Sequence, residues 1–198
     1  MEKNKYEEDN PLTRRQAEEI NNCSAEQKKK LEKLNKMSWK EYSLLRIKKK
    51  KIMPKQGDVF LLSPQKNMYL YGVVVQEKPA LIDNDDYYVI LILKDPIVSE
   101  LTDYIPKLDL YNVIIEPQIV MDIFWKRGYF YNIGSLEIPE NLDFGFYDVR
   151  EPEGFIDKNG NPTEKVPTIW GGYWFVSIDG LGRKLNRGLI ISKLDKNF

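Results

Sequence analysis

The stretch Met68-Tyr69-Leu70-Tyr71-Gly72-Val73-Val74-Val75 decides the fold class, because it joins aromatic and β-branched residues in one short apolar run. Val59-Phe60-Leu61-Leu62 precedes it, and residues 63–67 between the two runs have the Ser, Pro and Asn of a turn. Tyr87 to Leu93 follows, behind the acidic, turn-rich segment 83–86. The three runs predict three successive β-strands.

Weaker strand signals continue to the end of the chain, at residues 112–115, 119–124, 128–133, 143–149, 173–178 and 189–191. Asn159-Gly160 predicts a tight turn, since both residues tolerate a positive φ. Helical periodicity is weak after residue 56, and only Pro96 to Leu110 could hold a short helix. We predict an α+β fold that is mainly β: a small antiparallel, partly closed barrel or bent sheet preceded by an N-terminal helical segment.

Three helix starts are visible in the N-terminal part of the chain. Asn10 is followed by Pro11, as at a first helical turn, and Ser24 and Ser38 each stand three residues before Gln or Glu, as in a capping box. These signals predict helices near residues 11–21, 24–36 and 38–48. The few apolar residues of these helices form a narrow stripe that can dock on another surface, but they cannot form an independent core.

Charge divides the chain where its composition changes. Residues 1–55 carry 16 basic and 9 acidic side chains, and residues 56–198 carry 14 and 21, so a net charge of +7 is set against one of −7. We divide the chain into a charged helical segment, 1–54, and a β-rich domain, 55–198. The segment either packs on the acidic domain of its own chain or reaches a second protomer or partner.

The chain contains no histidine and one cysteine, Cys23. It therefore lacks the commonest general base and metal ligand, every Ser-His or Cys-His pair, and any thiolate zinc site. No glycine-rich phosphate loop is present. We predict a protein that is not an enzyme and uses no cofactor or metal. The enzymatic alternative is a hydrolase with two carboxylates, which must converge in one pocket.

The same composition indicates a compartment. A lone cysteine cannot form an intrachain disulfide, which favours a reducing environment. No apolar run approaches the roughly 18 residues of a membrane span, and residues 1–10 carry no apolar signal core. We expect a cytoplasmic protein without a membrane partner.

Acidic clusters and tryptophans supply the candidate partner-binding residues. Asp83, Asp85 and Asp86 form the densest acidic cluster, which lacks the spacing of a calcium-binding loop. Each acidic cluster is either a solvated turn or a patch for a basic partner, and each tryptophan anchors either a core or an interface. Trp174 is expected to lie in a strand with one face in the core. The candidates are Asp83, Asp85, Asp86, Trp125, Glu137, Glu140, Asp143 and Trp170.

Lysine runs at residues 28–30 and 48–51 raise the alternative of a nucleic-acid-binding β-barrel module with a basic helical extension, because lysines contact phosphates. Acidic residues are interleaved through the same helices, and no RNA-binding signature motif is present. Solvated helix faces explain the lysines better, so we do not expect nucleic acid as the partner.

Three stretches carry a resemblance to a known family. The first is Lys55-Gln56-Gly57-Asp58-Val59-Phe60 with Tyr69-Leu70-Tyr71-Gly72-Val73-Val74; the second is Trp125-Lys126-Arg127-Gly128-Tyr129-Phe130 with Ile133-Gly134 and Leu136 to Pro139; the third is Phe144-Gly145-Phe146-Tyr147-Asp148. They resemble the immunity protein 26 family of bacterial polymorphic-toxin systems.

The resemblance implies a predominantly β, non-enzymatic protein that is encoded beside a toxin gene. Its implied function is to bind a cognate protein toxin in the cytoplasm and block it, and no contact residues carry over from the family. The resemblance does not extend to the helical segment. Because the β-rich domain is acidic, a basic toxin of the nuclease type would be electrostatically complementary to it.

Overall fold

The computed structural model describes residues 10–49, 52–80, 82–150 and 154–195, so Lys50 and Lys51 of the second lysine run lie outside the described residues. The helices are α1 (Pro11–Asn21), α2 (Ala25–Lys36), α3 (Trp39–Tyr42), α4 (Ile123–Lys126) and α5 (Ile178–Ile191). The strands are β1 (Asp58–Gln65), β2 (Met68–Glu77), β3 (Tyr87–Ile92), β4 (Gln118–Met121), β5 (Phe130–Ser135), β6 (Phe144–Tyr147), β7 (Phe155–Asp157) and β8 (Ile169–Gly172). No helix within these ranges combines the length and apolar character that a membrane span needs.

Two sheets form the β-rich part of the chain. The larger has the order β4-β3-β2-β1-β5, with every neighbouring pair antiparallel, and the smaller has the order β7-β6-β8, with β6 and β8 parallel. Register shifts interrupt the β1–β2, β1–β5 and β2–β3 ladders, and irregularities of this kind bend strands. Neither sheet closes on itself. The predicted α+β, mainly β fold is confirmed in its bent-sheet form.

The larger sheet is covered on both faces, which explains its continuous apolar strands. Phe60 and its neighbours on one face pack with Leu185 of α5. Leu61 and its neighbours on the other face pack with Phe144 and Phe146 of the smaller sheet. A strand that is buried on both faces reads as an unbroken apolar run, as residues 68–75 do.

The C-terminal helix α5 corrects the prediction of strands at 173–178 and 189–191. Ser177 caps the helix by accepting a hydrogen bond from the Gly180 amide at 3.0 Å. Leu181, Leu185 and Leu189 recur every four residues along α5 and are fully buried against the larger sheet. Burial of this apolar face makes the segment helical. Residues 173–176 do not form a strand of the larger sheet, and they pair with it through a single parallel bridge between Phe175 and Ile119.

Other predicted elements are shorter than expected or do not form. Pro96 and Pro106 remove backbone donors from 96–110, and the only helical turn nearby is the 3-10 turn Leu110–Asn112. Residues 112–115 add one bridge, from Val113 to Leu93, instead of a strand.

Two predicted boundaries also change. The helix expected at 38–48 ends at Tyr42, because Leu45 pairs with Ser63 of β1. The strand expected at 119–124 ends at Met121. The Asn159-Gly160 turn is confirmed, with Gly160 at a φ of 82°.

The N-terminal helices begin at their predicted caps and pack on their own chain. The Ser24 hydroxyl accepts from the Gln27 amide at 3.2 Å, and the Gln27 side chain accepts from the Ser24 amide at 3.0 Å. Leu31 and Leu34 of α2 pack on Ile190 of α5. The Gln27 Nε2 donates to the carbonyls of Ile190 and Ile191 at 2.9 and 2.8 Å. Of the two placements that the charge split allowed, the structure shows the intramolecular one.

Candidate partner-binding surface

The acidic cluster lies in the exposed loop between β2 and β3. The Asn84 Oδ1 holds this loop by accepting from the Asp86 amide at 2.9 Å. Asp85 forms an ion pair with Lys78, with 2.9 Å between the charged atoms and both side chains exposed. Asp83 and Asp86 have no ion-pair partner among the described residues. The loop therefore carries two carboxylates outside any ion pair, although the charge of Lys126 acts on Asp86 from a longer distance.

Two consecutive exposed aromatic residues, Trp174 and Phe175, follow Tyr173, whose hydroxyl contacts this loop. The ring centroid of Phe175 is 5.8 Å from that of Tyr87, the first residue of β3, and Phe175 is 63% exposed. Trp174 is 48% exposed. The charged neighbour of the Trp174 ring is the Lys184 ammonium, 5.8 Å from the ring centroid, so the acidic residues lie on the side of Phe175. An exposed apolar ring next to carboxylates is a composition expected of an interface for a basic protein. Asp83, Asp85, Asp86, Trp174 and Phe175 are called the acidic–aromatic surface below.

Two contacts fix the position of the aromatic pair. The Tyr173 hydroxyl donates to the carbonyl of Ala80 in the acidic loop. Burial raises the pKa of Tyr173, so the hydroxyl remains a donor. At Gly172, an added Cβ would lie 1.9 Å from the Trp174 ring. Only glycine lets this ring rest against the backbone. The loop and the aromatic pair are thus held together before any partner binds.

The other predicted acidic residues lie on a different loop, between β5 and β6. Glu137 and Glu140 are exposed, and neither has an ion-pair partner within the described ranges. Asp143 is engaged internally: its Oδ2 accepts from the Thr168 hydroxyl at 2.8 Å and pairs with Lys165 at 3.1 Å. The hydrogen bond from Thr168, with the charge of Lys165, outweighs burial and lowers the pKa of Asp143. Asp143 therefore anchors the chain that leads into β8.

Trp125 is a core residue, which corrects its selection as a partner contact. It is 1% exposed, and its Nε1 donates to the Asn132 Oδ1 at 2.6 Å. Its ring meets those of Phe60 and Phe130 edge-on, with centroid distances of 5.2 and 4.9 Å. A partner could reach Trp125 only by opening the core.

Trp170 lies at the junction of the helical segment and the smaller sheet. The Arg15 guanidinium is 4.1 Å from the centroid of the Trp170 ring. The Phe155 ring meets the Trp170 ring edge-on, with 5.0 Å between the ring centroids. Trp170 lines a cleft of about 340 Å³ between α1, α5, β8 and residues 113–116. Trp170 is half-buried there.

The hydrolase alternative requires two carboxylates in one pocket. Glu19 and Glu116 both line this cleft. Glu19 pairs with Arg187 at 2.6 Å and Glu116 with Lys184 at 2.7 Å. Burial alone would raise the pKa of Glu116, but the charge and hydrogen bond of Lys184 outweigh burial and lower it. Such a hydrolase needs one carboxyl group that stays protonated near neutral pH, and the environment of Glu116 works against that.

Several exposed aromatic residues were missed by the sequence prediction. Trp174 and Phe175 were assigned to a strand with a core face, but their segment leaves the sheet. Tyr104 and Tyr111, which are 59% and 88% exposed, lie on the connection from β3 to β4, residues 93–117. The length of this connection was the available signal, since long irregular connections are often functional.

No protein-family model, curated protein or solved structure matches this chain. The resemblance to the immunity protein 26 family therefore stays a prediction that rests on three motifs. Two motif glycines have structural roles: a Cβ at Gly72 would lie 2.2 Å from the Phe60 ring, and Gly128 has a φ of 80°. Glycine at these two positions is explained by packing and backbone conformation, so it does not identify a binding partner.

Proposed function

We propose that this protein is a cytoplasmic immunity protein that binds a cognate bacterial toxin domain and neutralises it by covering the toxin's active or substrate-binding surface. The observation that carries the proposal is the acidic–aromatic surface, where the loop that holds Asp83 and Asp86 leads into Tyr87 and the exposed Phe175 packs on the Tyr87 ring. The exposed Trp174 precedes Phe175 in the chain. The motif resemblance supports the same class of function.

The charge of this surface favours a basic partner. A nuclease-type toxin contacts phosphates through lysines and arginines, and residues 56–198 carry 14 basic and 21 acidic side chains. Opposite charges accelerate association and make it sensitive to salt. Asp83, Asp85 and Asp86 are therefore assigned mainly to the rate and selectivity of toxin binding.

The aromatic pair is assigned to affinity. Buried aromatic side chains at the centre of an interface often cost about 2 kcal/mol or more when they are truncated. Phe175 is the exposed ring that packs on Tyr87 at the end of the acidic loop, and Trp174 is its exposed neighbour in the chain. Because Gly172 and Tyr173 already hold this segment, little ordering is needed when a partner binds.

Co-expression with the toxic domain encoded by the adjacent gene tests the proposal. The wild-type protein should restore growth and co-purify with that domain. The double variant W174A/F175A should bind at least about 30-fold more weakly, as loss of one hot spot implies. Tyr111→Ala is the matched control, since Tyr111 is 88% exposed on another loop. A wild-type protein that neither rescues growth nor co-purifies would disprove the proposal.

Charge reversal separates the two acidic loops. The variant D83K/D86K should associate with the toxin more slowly at low salt, and the difference should shrink as salt screens the charges. The matched control is E137K/E140K, which reverses two exposed acids between β5 and β6. If only the control loses association rate, the toxin binds the β5–β6 loop and the acidic–aromatic surface is not the interface.

The nucleic-acid alternative is less well supported by the contacts of α2. Lys30 is engaged with Asp195 at 2.8 Å and Glu26 at 3.2 Å, and the Lys28 Nζ donates to the Asn21 carbonyl at 3.3 Å. Titration of mixed RNA and DNA oligonucleotides at several salt concentrations distinguishes the two functions. Absence of binding at low salt would eliminate this alternative.

A further inference from the structure

The positive charge of the N-terminal part of the chain is concentrated in one short stretch. Residues 1–35 carry 8 basic and 8 acidic side chains, whereas residues 36–55 carry 8 basic and 1 acidic. The net charge of +7 therefore belongs entirely to residues 36–55, called the basic stretch below. A cluster of this density is attracted to the negative surfaces of membranes and nucleic acids. Of the two lysine runs, 28–30 falls in the neutral part and 48–51 in the basic stretch.

The cations of the basic stretch are exposed and are not used in ion pairs. Those that the structure describes are Lys36, Lys40, Arg46, Lys48, Lys49 and Lys55. None of them forms an ion pair with an acidic side chain in the described part of the chain. The one acidic residue of the stretch, Glu41, accepts from the Ser38 amide at 2.8 Å and from the Ser38 hydroxyl at 2.9 Å. These cations are thus available to a partner.

Arg127 adds a further exposed cation from another part of the chain. The residue that follows it, Gly128, packs against the backbone of the basic stretch: a Cβ at Gly128 would lie 3.0 Å from the Lys48 carbonyl carbon and from the Lys49 nitrogen. The Ile47 amide donates to the Gly128 carbonyl at 2.8 Å. The fold therefore brings exposed cations from two distant parts of the sequence close together.

Exposed apolar side chains accompany these cations. Trp39, Leu45 and Met53 are 56%, 41% and 63% exposed. A single-stranded nucleic acid offers phosphates to cations and flat bases to aromatic rings, but it offers little to exposed aliphatic side chains. The surface of a bilayer offers anionic headgroups with hydrocarbon beneath them. The combination of lysines with aliphatic side chains therefore favours a membrane surface over a nucleic acid.

The tyrosine rings near the basic stretch support the same choice. The Arg183 guanidinium is 5.9 Å from the centroid of the Tyr42 ring, and the Arg46 guanidinium is 5.5 Å from that of the Tyr129 ring. A cation of the chain itself thus lies over a face of each ring, where a base of a nucleic acid would stack.

We propose that the basic stretch, together with Arg127, binds the surface of a membrane that contains anionic lipids. The lysines and arginines approach the lipid headgroups, while Trp39, Leu45 and Met53 enter the boundary between headgroups and acyl chains. Charge alone gives weak attachment, and the apolar side chains add the second contribution that stable attachment requires. We expected no membrane partner because the sequence has no membrane span, but peripheral attachment needs none. It uses none of the acidic–aromatic surface and does not depend on the proposed toxin.

Co-sedimentation of the full chain with vesicles, in the absence of any toxin, tests this proposal. At low salt the protein should bind vesicles of phosphatidylcholine with about one third phosphatidylserine, and should bind pure phosphatidylcholine at least about tenfold more weakly. A single-stranded oligonucleotide serves as the alternative polyanion. Equal binding to both kinds of vesicle would contradict the proposal. If the protein binds the oligonucleotide but not the anionic vesicles, the partner is a nucleic acid and the proposal is wrong.

Two double variants that remove the same charge locate the contact. K48Q/K49Q should weaken binding to the anionic vesicles about 30-fold, as the loss of two lysines at a membrane surface implies. K28Q/K29Q is the matched control, because it removes two adjacent exposed lysines from the electrically neutral part of the chain. It should weaken binding much less. Equal losses in the two variants would show that only the net charge matters, and the assigned surface would then be wrong.

Tryptophan fluorescence tests the apolar contribution. Transfer of the exposed Trp39 ring into the headgroup boundary should shift the emission of the wild-type protein to the blue when anionic vesicles are added. Trp39→Phe should remove this shift, whereas Trp174→Phe, which changes a comparably exposed ring, should keep it. Both side chains are exposed, so neither change removes a core contact. A blue shift that survives Trp39→Phe would place the membrane contact elsewhere and overturn the proposal.

Discussion

Helices α2 and α5 have similar lengths, 12 and 14 residues, and pack against each other, but different forces hold them. The sequence of α2 itself contains helix-stabilising signals. A capping box closes its first turn, and Lys33 and Lys36 lie in its last turn, where their positive charges interact favourably with the helix dipole. α5 contains three glycines and lies on the core of the larger sheet. Local signals are therefore sufficient to specify α2, whereas α5 depends on what surrounds it.

The largest expected effect comes from removing the core contact of α5. Leu185 is fully buried against the larger sheet, and Leu185→Ala should lower the free energy of unfolding by about 2–5 kcal/mol. Leu31→Ala, the corresponding change on α2, should cost less, because Leu31 belongs to a small cluster of four buried residues. Urea unfolding followed by tryptophan fluorescence measures both. Equal losses would show that α2 depends on its surroundings as strongly as α5.

The second effect concerns the glycines of α5. A Cβ at Gly182 would lie 2.3 Å from the Tyr42 carbonyl oxygen and 2.9 Å from the Leu44 nitrogen. Gly182→Ala should therefore destabilise the protein by about 1–3 kcal/mol, although alanine is the better helix former. At Gly180 the nearest atoms are side-chain atoms at 3.1 Å. Gly180→Ala should be neutral or stabilising by up to about 1 kcal/mol.

Equilibrium unfolding in urea compares these two variants. If Gly182→Ala stabilises the protein as much as Gly180→Ala does, then α5 is limited by helix propensity and not by close packing. The comparison between the two helices would then fail.

The same contrast explains how much of the fold could be predicted. The central strands and α1 and α2 carry local signals, namely continuous apolar runs and N-cap residues, and these predictions are confirmed. In α5 the glycines lower helix propensity, and Leu189 to Ile191 resembles a short strand. The recurrence of Leu181, Leu185 and Leu189 was the signal that could have identified the helix.

The acidic–aromatic surface likewise combines residues whose placement follows from the local sequence with residues whose placement does not. The exposure of Asp83 and Asp85 follows from their position in one turn-rich segment, at whose end Asp86 is half-buried. The exposure of Trp174 and Phe175 depends on where the chain leaves the larger sheet, which no local pattern records. Arg15 and Arg187 are brought into one cleft only by the packing of the terminal helices, so their combination could not be predicted from spacing.

The third effect tests the local definition of α2. Ser24→Ala removes the hydroxyl that accepts from the Gln27 amide, and should cost about 1 kcal/mol. Hydrogen exchange should accelerate in the first turn of α2, whereas the amides of α5 should keep their protection. Ser24→Asp is the control, because it retains an acceptor and places a negative charge at the positive end of the helix. Exchange that accelerates equally in both helices would contradict a local role for the cap.

The smallest effect is a difference in how two ion pairs respond to acid. Burial raises the pKa of Glu116 and Lys184 lowers it, with a net lowering. A lowered carboxyl pKa contributes stability above the unfolded pKa of about 4.3, and this contribution is lost as the pH falls through the folded pKa. Glu116→Gln should therefore cost about 0.5–1 kcal/mol near neutral pH. In urea unfolding, its difference from the wild type should shrink as the pH falls below about 4.

Glu26→Gln on α2 is the matched control for this pH series. The Glu26 side chain is 78% exposed where it pairs with Lys30, whereas Glu116 and Lys184 are 21% and 28% exposed. Solvent screens the exposed pair more strongly, so Glu26→Gln should change stability less than Glu116→Gln at neutral pH. If both variants follow the same pH profile with the same amplitude, then the ion pair of α5 is as solvated as that of α2. Burial would then not distinguish the electrostatics of the two helices, only their apolar contacts.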